Sequence, residues 1–429
     1  MKFPFISKSR HHAEVERLKS SLAKAKEEKK RVEEKVTRLR TKLDAESRRA
    51  AELEALCEAR LTVIESSHSS VTAQADPALI QLCEARLREM ERLQSHLSEM
   101  RRSRIELLDR LSLTRAAASP YTGPAIPTIL GVDVEPDARV VEPSDASWQS
   151  TSEFFRRTSA FRSLLSAVAG GAPVHFTWFP RADPQVEKSN GSATWAFEQF
   201  KEEWNSMLSE GDEIGLHVHP WRWDEQANEW FQDHVDEAWV TSCVRSAIEA
   251  YRRALDKTPA SYRGGDRYLS NAVVRILEQE GVQVDVTLER MPEVARLVEA
   301  ERGTGVIPDG TSIPSRAYRP SAKDFRIADP ENSTGLGILP LTSYEKGSLS
   351  PWLPNVLFEE ELDRLLSQSS AADAEGPTHL AFVIRSNLVA LPTWEDFVEN
   401  ALSLARRARE GRLVFATASE AWSIASSSL

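Results

Sequence analysis

From residue 128 onward the chain alternates short, nearly continuous apolar runs with longer amphipathic stretches, and that alternation leaves it few possible folds. Runs of strand length lie at 128–134, 174–179, 213–218, 261–264, 283–288, 337–342, 379–385 and 413–416. Stretches of helical length lie at 154–168, 236–255, 271–280, 358–366 and 394–408. Strands buried on both faces read as apolar runs. Their regular exchange with helices specifies a parallel β/α architecture. Seven or eight such units in about 300 residues suit a barrel, where reacting groups come from the C-terminal ends of several strands.

Those ends are where this chain places its polar groups. Gly211-Asp212-Glu213-Ile214-Gly215-Leu216-His217-Val218-His219-Pro220-Trp221 reads as a strand finishing in two histidines and stopped by a proline. Residues i and i+2 leave an extended backbone on the same side, so His217 and His219 point into one cavity. Two imidazoles converging there are half of a divalent-metal site, with a carboxylate as the usual third ligand. The bland alternative is a pair of surface histidines. The first strand ends in acids at Asp133, Glu135 and Asp137, of which Asp133 and Glu135 share a side with each other by the same alternation. Tyr262-Arg263-Gly264-Gly265-Asp266-Arg267 follows one strand, another carries Asp285 and Glu289, and a later one ends in Ile384-Arg385-Ser386-Asn387. Charged groups at the ends of apolar strands are costly unless paired or ligated.

The first 115 residues differ. Leu18, Leu22, Ala25, Lys29, Val32, Val36, Leu39, Leu43, Glu46, Ala50, Leu53 and Cys57 alternate spacings of four and three, a heptad seam. The pattern dissolves near 66–77 and resumes through Met90, Leu93, Leu97, Met100, Arg104, Leu107 and Leu111. An all-α coiled coil in two runs over 1–115, a linker over 116–126 and a barrel over 127–429 is the expected organisation. An exposed apolar stripe wants a partner helix, so self-association through the coil is expected.

The net charge of −11 is carried by the part after residue 115, while the first 115 residues are mildly basic. An acidic barrel excludes a nucleic-acid groove. No apolar run is long enough to span a bilayer, and the N-terminus lacks the apolar core of a secretory signal. Cys57, Cys83 and Cys243 make no disulfide framework. These features together point to the cytoplasm.

Over residues 127–422 the chain resembles the NodB-homology polysaccharide deacetylases, carbohydrate esterase family 4 and its divergent relatives. The resemblance rests on Val132-Asp133-Val134-Glu135, on Gly211-Asp212-Glu213-Ile214-Gly215-Leu216-His217, on Tyr262-Arg263-Gly264-Gly265 and on Val414-Phe415-Ala416-Thr417-Ala418-Ser419-Glu420. It implies an α/β fold, a distorted (β/α)7 barrel of the glycoside hydrolase/deacetylase type, and removal of N- or O-linked acetyl groups from a carbohydrate. By resemblance Asp133 is the general base, Arg263 orients it, and Glu135, His217 and His219 hold a divalent metal: zinc first, cobalt or nickel as alternatives. A bound metal lowers the pKa of its water and polarises a carbonyl, and a carboxylate beside that water takes its proton.

Two positions depart from the family. Its histidines are spaced H-x-x-x-H, whereas here the second is at i+2. Where it carries an acid histidine after an apolar strand, this chain has Arg385, which cannot act as an acid but can stabilise an oxyanion or bind an anionic substrate. Trp178 and Trp221 are candidates for stacking on sugar rings. Asp285 and Arg319, the latter in the long 303–335 loop, are further candidate substrate contacts. Two alternatives stand beside the deacetylase: a catalytically altered barrel acting as a coiled-coil scaffold, and a glycan hydrolase pairing Asp133 with Asp285 or Glu289.

Overall fold

The computed structural model of the chain describes residues 121–427 except 122, 142–145, 291–309, 346, 369–375 and 392, together with positions 88, 92, 95, 99, 102–110 and 112–113. The expected coiled coil over 1–115 lies almost wholly outside the described residues. Of its second run, 102–110 and 112–113 are helical. The chain divides into two units, Met1–Pro120 and Tyr121–Leu429.

The second unit is built around β1 (Ile126–Val134), whose nine residues are all buried. The sequence reason is the run Ile-Pro-Thr-Ile-Leu-Gly-Val-Asp-Val, β-branched and apolar on both faces, as a central parallel strand requires. In chain order there follow α1 (Gln149–Val168), β2 (Thr177–Pro180), α2 (Pro184–Asn190), α3 (Trp195–Gln199), α4 (Lys201–Ser209), β3 (Glu213–Ile214) and β4 (Leu216–Val218). Next come the hairpin β5 (Trp221–Asp224) and β6 (Glu229–Gln232), then α5 (Glu237–Leu255), β7 (Ser261–Gly264), α6 (Asn271–Glu280), β8 (Val284–Asp285) and β9 (Gly337–Ile338). A small hairpin, β10 (Ser343–Tyr344) and β11 (Gly347–Ser348), precedes α7 (Asn355–Gln368), β12 (Leu380–Arg385), α8 (Thr393–Arg409), β13 (Leu413–Phe415) and α9 (Ala418–Ser426).

Two parallel sheets result. One has the order β12-β1-β2-β3 with β13 also paired to β1, and the other the order β4-β7-β8-β9. β3 and β4 are one line of chain interrupted at Gly215. On the far side the sheets meet through Thr342, whose N–H donates to Ala381 O at 3.0 Å while its hydroxyl accepts from Ala381 N at 2.8 Å. No ladder continues across that seam, so the ring expected as a (β/α)7 barrel is not closed. The physical reason is strand length: β8 and β9 each keep two residues of the six expected, too few to carry the pairing around. The interior is filled all the same, by Ile129, Phe179, Val284, Leu339 and Ala381 from facing strands.

The helices pack outside with well-formed ends. Asp236 caps α5 by accepting from Trp239 N, and Ser270 caps α6 by accepting from Val273 N. α9 opens with a capping box between Thr417 and Glu420. The third acid after β1, Asp137, takes part in the same way: its carboxylate accepts from Gln149 N and Ser150 N at 3.1 and 2.9 Å at the start of α1.

One buried carboxylate ties β2 to the turn before β3. Asp212 accepts from Phe176 N (2.9 Å), from Trp178 Nε1 (2.8 Å) and from both terminal nitrogens of Arg162 on α1 (2.8 and 2.5 Å). Removing one partner of a buried pair leaves the other uncompensated. Asp212→Ala is therefore expected to lower the unfolding free energy by about 3–5 kcal/mol, measured by urea titration followed by circular dichroism. A loss below about 1 kcal/mol would show that this tie is not structural.

Candidate active site

Asp133, His217, Arg263 and Arg385 are the last or next-to-last residues of β1, β4, β7 and β12, and parallel pairing brings these ends to one rim. They line a cavity of about 400 Å³ together with Glu135, His219, Arg139, Asp266, Arg267 and Glu289. The loop around Ser350 and Trp352 forms part of its wall.

At its floor the two imidazoles face each other, Nε2 to Nε2, at 3.1 Å. Glu135 Oε1 lies 3.4 Å from His217 Nε2 and 3.8 Å from His219 Nε2. All three side chains are buried. The second ring nitrogens are spoken for. His217 Nδ1 sits 2.9 Å from Arg263 O, an atom that only accepts, so it carries the proton and Nε2 keeps the lone pair. His219 Nδ1 sits 3.2 Å from Gln232 Oε1 and 3.4 Å from Asp266 Oδ2, with the same consequence.

Two imidazole nitrogens at that separation are held by a cation between them, a shared proton or a metal ion. The donor set of two imidazole nitrogens and one carboxylate oxygen, all within 4.8 Å of one another, is one that zinc and its neighbours take. The residues present therefore fit a divalent metal. The surroundings favour positive charge in general: burial alone lowers the pKa of His219, but Asp266 and Glu135 outweigh it and raise it to about 9. Burial raises the Glu135 pKa, but the two histidines hold it well below the usual carboxylate range.

Asp133 lies beside this cluster, held by Arg263 Nε, which donates to its two oxygens at 2.8 and 3.0 Å. Arg263 Nη1 in turn donates to Val286 O at 2.9 Å. Arg385, in register with Asp133, is exposed at the cavity.

The remaining sequence candidates lie elsewhere. Trp178 is fully buried among Phe154, Phe155, Phe176 and Trp204, outside the cavity lining. Its neighbours are apolar because β2 turns that side toward α1 and α4. Trp221 is buried too, stacked behind His219 with ring centroids 6.2 Å apart. Arg319 covers the Trp422 ring at 4.9 Å and donates to Gly335 O. Asp285 points into the β7–β8 seam, accepting from Thr287 N (3.0 Å) and Thr287 Oγ1 (2.5 Å). It lies outside the cavity lining, whereas Glu289 lines the cavity with Asp133 and pairs with Arg267 at 2.7 Å.

The sequence reading missed the residues that hold the histidines. Asp266 accepts from Arg139 at both oxygens (2.7 and 2.9 Å) and from Gln232 Nε2, and faces His219. Its backbone is left-handed, φ 50°, and so is that of Arg267, φ 60°. For non-glycine residues this is a local strain that the surrounding bonds must hold. Gly265 just before it admits no side chain, because a Cβ there would lie 2.2 Å from His219 Nδ1. The only sequence sign was Gly-Gly-Asp-Arg directly after a strand. Ser386 also went unnoticed: its hydroxyl accepts from Glu135 N at 3.1 Å and meets Thr151 Oγ1 at 2.6 Å, fixing the turn that aims Glu135.

No protein-family model and no curated protein matches the chain. Among solved structures it is similar to one named for a polysaccharide deacetylase from Mycobacterium smegmatis, at 13% identity over 72% of this chain and 94% of that one, with a TM-score of 0.44. A structure named in the same way from Pseudomonas aeruginosa PAO1 matches at 15% identity over 70% and 90%, with a TM-score of 0.43. A family 4 carbohydrate esterase from Streptomyces lividans in complex with acetate matches at 10% identity over 67% and 91%, with a TM-score of 0.31. These carry the family name that the strand-end motifs resemble. With TM-scores below 0.5, the functional reading rests on the residues of this chain.

Two outcomes follow from the geometry. Asp266→Asn keeps the shape but removes the charge behind His219, and loss of such a partner typically costs 10- to 100-fold in metal affinity. A weakening of zinc binding on that order is expected by competition with a chromogenic chelator, with the melting temperature nearly unchanged at saturating zinc. Burial pushes Asp285 up to about 7 against the opposing bonds from Thr287. A raised carboxyl stabilises the fold while protonated and loses that contribution as pH rises from about 4 through 7. Asp285→Asn, which never ionises, should therefore gain on wild type by a few kcal/mol, roughly, between pH 4 and pH 8. A difference independent of pH in urea titrations would count against this.

Proposed function

We propose that the chain is a metal-dependent hydrolase that removes an acetyl group, N- or O-linked, from a carbohydrate. One observation carries the reading: three lone-pair donors converge on one point of a cavity that Asp133 also lines. A divalent metal, zinc first, held by Glu135, His217 and His219, would supply Lewis acidity toward the acyl oxygen and a water of lowered pKa.

The chain's own residues do the rest. Asp133 accepts the proton of the attacking water as its oxygen adds to the acyl carbon. Arg263 keeps that carboxylate turned to the cavity by donating to both of its oxygens, so no rearrangement is needed when the proton moves. With no histidine at the end of β12, the protonated Asp133 is the group placed to return the proton to the leaving nitrogen or oxygen. The C–N or C–O bond then breaks to give acetate and the free amine or hydroxyl. Gln232 and Asp266, by receiving His219 Nδ1–H, hold the imidazole in its ligating tautomer.

A second reading, a catalytically altered barrel that serves as a scaffold, is favoured by Arg385 at the position of the expected acid. Self-association through 1–115 and a cytoplasmic location belong to the same proposal and rest on sequence pattern. No helix among the described residues is long and apolar enough to cross a membrane.

The test is metal content with turnover. Wild type should hold about one divalent metal per chain, lost in His217→Ala and in the double variant with His219→Ala, and should release acetate from some member of a panel of acetylated sugars. Asp133→Asn should keep the metal and lose on the order of 10²–10⁴ in kcat. Absence of bound metal after incubation with zinc, cobalt or nickel would sink the hydrolase. Metal without turnover on any acetylated sugar would leave the scaffold.

A further inference from the structure

The charges lining the cavity pair off almost completely. Asp133 is met by Arg263 at 2.8 Å, Asp266 by Arg139 at 2.7 Å, and Glu289 by Arg267 at 2.7 Å. Glu135 Oε1 lies 3.4 and 3.8 Å from the two imidazole Nε2 atoms. Arg385 remains. Among the charged lining residues it alone has no hydrogen bond or ion pair to the described residues, and it is exposed to the cavity. Its position is fixed. β12 runs parallel to β1 with Arg385 opposite Asp133, so the two side chains leave the same face one strand spacing apart, about 5 Å between backbones. The turn that follows is pinned by Ser386 to Glu135 N and by Asn387 Nδ2, which donates to Pro136 O at 3.1 Å.

A guanidinium left without a counter-charge beside the reacting carboxylate is suited to hold an anionic group of a ligand. Its planar fork takes an oxyanion group through two parallel N–H···O bonds. The lining holds four carboxylates and four guanidiniums, so a divalent metal at the Glu135 cluster would leave the cavity with a positive excess. We infer that Arg385 is a specificity residue and that the sugar acted on carries an anionic group, a carboxylate or a phosphate, close to the acyl group. This rests on the acyl-sugar reading above. The competing role, donation to the oxyanion formed on the acyl oxygen, predicts a loss of kcat on neutral and charged sugars alike.

Binding separates these without any turnover. The zinc-loaded full chain would be titrated calorimetrically with three probes: N-acetylmuramic acid, which bears a carboxylate, N-acetylglucosamine 6-phosphate, and neutral N-acetylglucosamine. At least one anionic probe should bind on the order of tenfold or more tighter than the neutral one, as a charge-assisted bidentate contact provides. Which one does tells carboxylate from phosphate. Arg385→Gln should abolish the preference and leave the melting temperature in place, Arg385→Lys should keep part of it, and added salt should weaken it. Equal affinity for the three probes, no binding of any, or a preference that survives in Arg385→Gln overturns the inference. A preference that depends on Arg385, with no hydrolysis of any acetylated anionic sugar, would instead count against the hydrolase and leave the anion site standing.

Discussion

A charged group at the buried end of a strand has to be met within hydrogen-bond reach, and the cavity side of this protein is organised by that requirement. Asp133, Glu135, Asp266 and Glu289 all lie at or just beyond strand ends, with little of each side chain reaching solvent. Each is matched by a cation or by an imidazole donated from a neighbouring strand or loop. The pairing fixes the side chains more tightly than backbone geometry alone would. Arg263 illustrates it, with one nitrogen on Asp133 and another on Val286 O, so that β1, β7 and the segment after β8 are cross-braced at the site.

The histidine pair depends on the residues packed behind it. His219 is wedged between the Trp221 ring and the Gly265 backbone, and its outer nitrogen is turned toward Gln232 and Asp266. Asp266 reaches that place only by adopting a left-handed backbone, and Arg139, arriving from the segment after β1, holds it there. Backbone conformations of this kind cluster at functional positions, and this one lies beside His219. It also explains how a short i, i+2 spacing serves. The strand end supplies the convergence, and the loops around it supply the orientation.

Much of the fold was legible because apolar continuity and helical periodicity are local. The strands 128–134, 213–218, 261–264 and 379–385 fall where the runs of Val, Ile, Leu and Phe are, and α5 and α6 fall where the amphipathic stretches are. The short strands were overestimated, since 283–288 and 337–342 keep pairing over only two residues each. The hairpin β5–β6 was not foreseen, because its Trp-rich alternation sits beside Pro220 and reads as loop. Trp178 and Trp221 were poor candidates for the opposite reason: aromatic rings fill space wherever they are covered, and nothing in their neighbours' identities says which side is covered.

What the sequence by itself determined is therefore the parallel β/α pattern and the presence of His217, His219, Asp133, Glu135, Arg263 and Arg385 at strand ends, since side-chain direction along an extended strand alternates with a period of two whatever surrounds it. Only the tertiary structure decided which of the polar groups meet. It sent Asp137 to a helix cap, Asp285 into a seam and Arg319 onto Trp422, brought Asp266 and Gln232 behind His219, and left Arg385 without a partner among the described residues. Those outcomes turn on distances between residues more than a hundred positions apart in several cases, such as Arg139 and Asp266, and no local pattern encodes such a distance.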